Sequence, residues 1–189
     1  MKSQTPALFL DRDGVINKDF GYVFESDRFD FFPEIIQISA MAAKHEWPIV
    51  VITNQSGIGR GLFTEQDFLK LNSWMIEKFL EHNIEISLVL YAPENPDDEA
   101  IQSELRRKPS PAMFFEAASQ LQLDLSKSIM IGDRESDMIA ASSAGIGHRF
   151  LISKNYGKSA ATKAVENHKE CIEELEILFN LDLGSVNNG

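Results

Sequence analysis

The sequence has one cysteine, no long apolar run and no excess of positive charge. The single Cys171 excludes an internal disulfide bond and is typical of a reducing compartment. The longest apolar stretches, such as WPIVVI and ISLVLYA, are far shorter than the roughly 20 residues that span a bilayer. The formal net charge of −11 disfavours nucleic acid or an anionic membrane as a partner. We therefore expect a cytoplasmic protein with neither a secretion signal nor a membrane partner.

The composition is that of a folded globular protein. The chain has 189 residues, of which 43% are hydrophobic and 25% charged. A chain of this length fits one domain, and we expect residues 1–189 to form a single monomeric domain with a frayed tail from about residue 182. No internal repeat or low-complexity block interrupts it.

Short apolar runs alternate with segments of helical periodicity. The runs lack strict polar alternation, which is typical of strands buried on both faces. The predicted strands are Ala7–Leu10, Ile49–Thr53, Ile86–Tyr91, Ser128–Gly132 and His148–Ile152. The predicted helices are Pro33–Lys44, Thr64–His82, one starting at Ser110 with Pro111, Ser136–Ala144 and about Lys169–Phe179. This order predicts an α/β fold with a parallel sheet covered by helices on both faces.

Polar clusters follow the predicted strands. DRDG follows the first strand, TNQSGIGRG the second and GDRESD the fourth, while RRKPSP lies beyond the third. Ligands of such folds bind at the carboxyl ends of the strands, so these clusters are expected to meet in one site.

Asp11 and Asp13 present two alternatives. Two carboxylates this close resist joint burial, so they either belong to a polar turn with Gly14 at positive φ or share a cation and a reaction. Because four separate segments carry acids, bases and a hydroxyl group to the same edge of the sheet, we favour the second interpretation.

Four segments resemble the haloacid dehalogenase-like phosphatases. They are LFLDRDGVIN at Leu8–Asn17, VITNQSGIGRG at Val51–Gly61, RKP at Arg107–Pro109 and IGDRESD at Ile131–Asp137. Within that superfamily the chain is most similar to the heptose-bisphosphate phosphatases, whose relatives include the histidinol-phosphate phosphatases. The resemblance implies a three-layer Rossmann-like fold, and no segment is long enough for a large cap domain.

The resemblance assigns roles to individual residues. It implies that Asp11 is the nucleophile that forms an aspartyl-phosphate, and that Asp13 exchanges protons with the leaving group and with water. Thr53 and Lys108 would hold the phosphoryl group, and Asp137 would orient them. Mg²⁺ would be bound by Asp11, Asp133 and the backbone carbonyl of Asp13. The expected substrate contacts are Arg12, Asp19, Tyr22, Asn54, Gln55, Ser56, Arg60, Arg107 and Arg134.

Several of these residues also have plain structural interpretations. Thr53 could simply end a strand and Lys108 could be a solvated charge before a proline turn. Arg60 is equally compatible with an exposed loop, and DFGY at Asp19–Tyr22 with an aromatic loop packed on the domain. The four histidines have no ligand spacing and are expected at the surface or at helix ends.

One segment departs from the family pattern. Phosphatases of this group usually carry a zinc loop with Cys-x-His followed by Cys-x-Cys before RKP. Here Ala92 and Glu94 occupy the first pair of positions, and Glu104 and Arg106 the second. Without thiolate or imidazole ligands we expect no zinc, and ion pairs between the acids of the loop and Arg106 are expected to hold it.

The expected function is Mg²⁺-dependent hydrolysis of a phosphorylated sugar. The resemblance points to D-glycero-D-manno-heptose 1,7-bisphosphate, cleaved at C7 in lipopolysaccharide precursor synthesis. Histidinol phosphate or another small phosphoester is the alternative substrate. A receiver domain that accepts a phosphoryl group without turnover is the alternative from another class, although its acceptor follows the third strand and no DxDG follows its first.

Overall fold

The computed structural model of the protein describes residues 4–98, 106–154 and 157–186, with side chains up to residue 180. Within these ranges the strands are β1 (Leu8–Leu10), β2 (Ile49–Asn54), β3 (Leu88–Ala92), β4 (Ile129–Gly132), β5 (His148–Ile152) and β6 (Lys163–Val165). The helices are α1 (Glu34–Lys44), α2 (Ser56–Gly59), α3 (Glu65–Leu80), α4 (Ala112–Leu121), α5 (Glu135–Ser143) and α6 (His168–Val186). Single 3₁₀ turns lie at Ser26–Arg28 and Leu125–Lys127.

The strands form one parallel sheet in the order β3-β2-β1-β4-β5-β6. The central strand β1 is buried on both faces, with Leu8 and Leu10 in one apolar core and Phe9 in the other. Helices α1, α3 and α6 contribute to the first core, and α4 and α5 to the second. The predicted three-layer α/β fold is therefore confirmed, with β1 at its centre.

Helix α3 shows how local sequence fixes an element boundary. Thr64 Oγ1 accepts a hydrogen bond from the Asp67 backbone N–H at 3.1 Å, and Asp67 Oδ2 accepts one from the Thr64 N–H at 2.9 Å. This reciprocal cap satisfies N–H groups that a helix start leaves without partners. The apolar stripe behind the cap, which includes Phe68 and Met75, is buried against the sheet as its spacing predicts.

Three elements differ from the sequence prediction. Strand β6 and the single-turn helix α2 were not predicted, because three and four residues are too short to show a periodicity. Helix α6 continues to Val186, beyond the expected end near Phe179, so residues 182–186 of the expected frayed tail are helical. The rest of that prediction falls on residues 187–189, outside the described ranges.

His168 begins helix α6, as the expectation of a surface or helix-end histidine allows, and its side chain is buried. Its ring stacks on Phe32 at 4.0 Å between centroids, and Nε2 donates to the Val15 carbonyl at 2.8 Å. Burial lowers the pKa of His168. This hydrogen bond ties the start of α6 to the loop that follows β1.

No part of the described chain forms a cap domain over the strand ends. The long connection between β1 and α1 contains the 3₁₀ turn at Ser26–Arg28 and isolated β-bridges that pair Asn17 with Asp13 and with Phe31. None of the described helices is both long and apolar enough to cross a membrane.

Candidate active site

The carboxyl ends of β1, β2 and β4 open into a cleft of about 540 Å³. Most of the residues predicted from the sequence line it, although they come from four separate segments. They are Asp11, Asp13, Asp19, Tyr22, Thr53, Asn54, Gln55, Ser56, Arg107, Lys108, Arg134 and Asp137. The parallel topology brings these segments together, because all the strands end at the same edge of the sheet.

Lys108 occupies the centre of the cleft floor. Its Nζ lies 2.9 Å from Asp11 Oδ1 and 2.7 Å from Asp137 Oδ1, and it donates to the Ile52 carbonyl at 2.8 Å. The backbone of Lys108 exchanges two hydrogen bonds with the Asn54 side chain, at 2.9 and 3.0 Å. Lys108 is 2% exposed, so these contacts hold a buried ammonium group in one position beside Asp11.

Burial changes the proton affinity of this cluster. It raises the pKa of Asp11 to about 8, an effect that Lys108 opposes and that Asp137 and Asp133 reinforce. It raises the pKa of Asp133 to about 6, again with reinforcement by Asp137. Burial disfavours the charged form of Lys108, but the nearby carboxylates Asp11 and Asp137 outweigh it and raise the pKa of that amine. The acids therefore crowd each other and favour a cation.

Carboxylate oxygens of Asp11, Asp133 and Asp137 lie within 4.8 Å of one another. Asp133 Oδ1 is buried without a hydrogen-bond partner, so it is available as a ligand. Asp137 is already engaged, because it contacts Lys108 and accepts a hydrogen bond from the Arg134 N–H at 3.0 Å. The oxygen donors and their crowding fit Mg²⁺, a hard cation, with Asp11 and Asp133 as the side-chain ligands.

Gly14 provides the space for Asp133. A Cβ at this position would lie 2.1 Å from Asp133 Oδ2, and the backbone has a φ of +92°. The positive φ agrees with the turn expected after Asp13, while the close approach of Asp133 had no signal in the sequence.

Arg12 differs from its predicted role as a substrate contact. The residue is fully buried and lies outside the lining of the cleft. Its Nη2 contacts both oxygens of Asp13, at 3.0 and 2.8 Å, and donates to the Val23 carbonyl at 2.7 Å. The guanidinium also lies near the Phe29 and Phe68 rings, 6.0 and 5.5 Å from their centroids. Arg12 therefore supports Asp13 from beneath the site.

Two further side chains orient Asp13. Asn17 Nδ2 donates to Asp13 Oδ1 at 3.0 Å, and Gln55 Nε2 donates to Asp13 Oδ2 at 3.0 Å. Gln55 Nε2 also donates to Thr53 Oγ1 at 2.9 Å, which connects the ends of β1 and β2. The sequence analysis did not predict Asn17 as a site residue, although it is the last residue of the family-like segment Leu8–Asn17.

Arginines surround the mouth of the cleft. Arg134 Nη2 contacts Asp19 Oδ2 at 2.7 Å, and Arg107 Nη1 donates to the Glu94 carbonyl at 3.3 Å. Burial lowers the pKa of Arg107, with Glu94 opposing and Arg60 and Arg134 adding to the effect. Arg60 does not line the cleft and pairs with Asp97 at 2.7 Å. The mouth therefore concentrates positive charge on a chain whose net charge is −11.

The expected ion pairs between the acids of the loop and Arg106 fall in part on residues 99–105, outside the described ranges. Among the described residues, Arg106 Nη2 pairs with Glu116 Oε2 of α4 at 2.6 Å. Glu104 lies outside the described residues. The described part of this loop, up to Asp98, contacts α2 instead.

Comparisons with known proteins agree with this geometry. Residues 105–176 match the family model described as HAD-hydrolase-like. The chain is 40% identical over 172 residues to the D-glycero-alpha-D-manno-heptose-1,7-bisphosphate 7-phosphatase of Burkholderia mallei, covering 88% of this chain and 91% of the relative. It is 40% identical over 157 residues to the D-glycero-beta-D-manno-heptose-1,7-bisphosphate 7-phosphatase of Escherichia coli K12, covering 80% and 81%.

A solved structure shows the same arrangement of elements. The D,D-heptose 1,7-bisphosphate phosphatase of B. bronchiseptica, complexed with magnesium and phosphate, superposes with a TM-score of 0.78 at 28% identity, covering 90% of this chain and 98% of that one. These similarities confirm that the protein is an enzyme and exclude the receiver-domain alternative. The chain belongs to the haloacid dehalogenase-like phosphatases, within the family of the heptose-1,7-bisphosphate 7-phosphatases.

Proposed function

We propose that the protein removes the C7 phosphate of D-glycero-D-manno-heptose 1,7-bisphosphate through an aspartyl-phosphate on Asp11, with Mg²⁺ as cofactor. The observation that carries this proposal is the cleft itself. A buried Asp11–Lys108 pair lies on its floor, and Arg107 and Arg134 lie on its walls. Relatives at 40% identity are named for this substrate in both anomeric forms.

Asp11 is the nucleophile of the proposed reaction. Its Oδ1 contacts Lys108 Nζ at 2.9 Å and accepts the Arg12 N–H at 2.8 Å. Both contacts involve Oδ1, so we assign the attack to Oδ2. The bond from Oδ2 to phosphorus forms as the bond from phosphorus to the sugar oxygen breaks.

Asp13 is the proton donor and acceptor of the two steps. It gives a proton to the departing sugar oxygen and later takes one from the water that attacks the aspartyl-phosphate. That attack releases inorganic phosphate and restores Asp11. Arg12, Asn17 and Gln55 hold the Asp13 carboxyl group on one side of the cleft, which fixes the direction of proton transfer.

The remaining polar groups stabilise the transferred phosphoryl group. Thr53 and Lys108 line the cleft together with Asp11, and both can donate hydrogen bonds to the oxygens of the phosphoryl group. Asp11 and Asp133 would hold Mg²⁺, with Asp137 adjacent. The cation would neutralise negative charge on the carboxylates and on the phosphoryl oxygens.

The test is phosphate release from a panel of heptose 1,7-bisphosphate, heptose 7-phosphate and histidinol phosphate, with and without Mg²⁺. We expect Mg²⁺-dependent turnover with the highest kcat/KM on the bisphosphate, because Arg107 and Arg134 can bind a second phosphate. A preference for histidinol phosphate would overturn the substrate, and turnover after complete removal of divalent cations would overturn the role of Mg²⁺.

A further inference from the structure

The loop after β3 is bound to α2 through its backbone. The Gln55 N–H donates to the Ala92 carbonyl at 2.8 Å, and the Gly59 N–H donates to the Pro93 carbonyl at 2.9 Å. Gly59 has no room for a side chain, because a Cβ there would lie 2.5 Å from Asn95 N and 2.6 Å from Pro93 O. We call this contact between Gly59 and residues 93–95 the loop seat.

The loop seat also places the group that holds Arg107. The Glu94 carbonyl accepts the hydrogen bond from Arg107 Nη1 at 3.3 Å. Glu94 lies within the loop seat, so moving this backbone moves the acceptor. Arg107 lines the cleft, and the position of its guanidinium therefore depends on residues 93–95.

The ion pair that Asp97 forms in the described part of this loop is a weak restraint. The Arg60–Asp97 pair has side chains 31% and 69% exposed, and exposed ion pairs contribute only about 0–1 kcal/mol. The stretch from Ala92 to Arg107 contains neither cysteine nor histidine, so it offers no thiolate or imidazole to a metal ion. Close packing of Gly59 against the backbone of residues 93–95, together with the hydrogen bond from the Gly59 N–H to the Pro93 carbonyl, restrains the described part of the loop directly.

We propose that Gly59 is a positioning residue for substrate specificity: the loop seat fixes the Glu94 carbonyl, which holds Arg107 in place to bind the second phosphate of the substrate. The proposal rests on the proposed function for the identity of that substrate. Gly59 does not line the cleft and touches none of the reacting groups. Its effect should therefore fall on binding of the bisphosphate and leave the chemical step unchanged.

The test is Gly59→Ala, with Gly157→Ala as the matched control. Gly59 lies in a helix, where alanine is more favourable than glycine, so the substitution does not disfavour the backbone conformation. Any loss must therefore come from the contact of the added methyl group with the loop. Gly157 has nothing within 4 Å of an added Cβ. We expect Gly59→Ala to raise KM for heptose 1,7-bisphosphate about tenfold, the usual effect of losing one charged hydrogen bond. Its kcat, and both constants for heptose 7-phosphate, should stay near wild type.

A double variant tests whether Gly59 acts through Arg107. Arg107→Ala alone should raise KM for the bisphosphate, and adding Gly59→Ala should raise it no further. Independent, multiplying effects would overturn the proposal, as would an equal loss on both substrates. If Gly59→Ala does not fold, Pro93→Gly loosens the loop seat from the other side without adding an atom, and the same rise in KM is expected.

A chemical measurement separates this proposal from the substrate assignment. The rate at which phenylglyoxal modifies Arg107, followed by peptide mass spectrometry, needs no substrate. We expect a faster reaction in Gly59→Ala and an unchanged rate in Gly157→Ala. An unchanged modification rate in Gly59→Ala would overturn the role of the loop seat, whichever substrate the enzyme hydrolyses. A wild-type enzyme that does not hydrolyse the bisphosphate would overturn only the proposed function.

Discussion

Replacing Gly14 with alanine should disable the site while leaving most of the fold intact. The new Cβ would lie 2.1 Å from Asp133 Oδ2, whereas real Cβ atoms essentially never come closer than 3.0 Å to another heavy atom. The Asp133 carboxylate must therefore retreat by about 1 Å, a misplacement that typically costs about 100-fold in rate. That factor corresponds to about 2.7 kcal/mol of transition-state stabilisation. We expect kcat to fall by about this factor and Mg²⁺ to bind more weakly.

The control for this prediction is Gly145→Ala. Gly145 has a φ of +81°, close to the +92° of Gly14, but nothing lies within 4 Å of an added Cβ. Both substitutions should lower the free energy of unfolding by about 1–2 kcal/mol, the usual cost of a left-handed conformation for an L-residue. Only Gly14→Ala should lose activity.

The assay combines steady-state kinetics at saturating Mg²⁺ with calorimetric titration of Mg²⁺ and urea unfolding. Wild-type kcat and Mg²⁺ affinity in Gly14→Ala would refute the reasoning, because Asp133 would then not need its observed position. Equal losses of activity in both variants would attribute the effect to backbone strain instead.

Four further predictions concern Arg12, His168, Mg²⁺ and zinc. Arg12→Met should lower the free energy of unfolding by about 3 kcal/mol in urea titrations, because Asp13 loses its buried partner, and a variant as stable as wild type would contradict this role. The pKa of His168 is lowered in the folded protein, so the unfolded state binds a proton more readily and the free energy of unfolding should fall as the pH drops below about 6.5. His168→Gln should reduce this pH dependence of stability. A melting temperature that varies with pH in the same way in His168→Gln and in wild type would contradict this prediction. Mg²⁺ should raise the melting temperature of EDTA-treated protein, and elemental analysis should find no stoichiometric zinc; one zinc per chain would contradict our account of the loop.

The sequence was sufficient to predict the layers and the central residues of the site. Apolar runs such as Ile49–Thr53 lack polar alternation, which is typical of parallel strands, and the structure buries them on both faces. The parallel topology then brings Asp11, Lys108 and Asp133 to one edge of the sheet. The position of Asp11 and Asp133 directly after strands of a parallel sheet predicted that both lie at one edge, whereas their shared role at a cation was implied by the resemblance to the haloacid dehalogenase-like phosphatases.

Other features depend on contacts between distant residues and had no local signal. Arg12 is buried because Phe29 and Phe68 surround it, and neither lies near it in the sequence. The sequence does not distinguish Gly59 from other loop glycines, because its close contact with residues 93–95 exists only in the folded protein. His168 has no ligand spacing, and only the fold brings it to Val15. Side-chain burial of this kind is a tertiary property that periodicity does not report.

The central claim is that Asp11 carries the phosphoryl group during turnover. The direct measurement is to mix enzyme with substrate and Mg²⁺, quench within one turnover and reduce the protein with borohydride, which converts an aspartyl-phosphate to homoserine. Peptide mass spectrometry should then find homoserine at position 11, and Asp11→Asn treated identically should show none. Homoserine at another aspartate, or at no position while phosphate is released, would contradict the covalent mechanism.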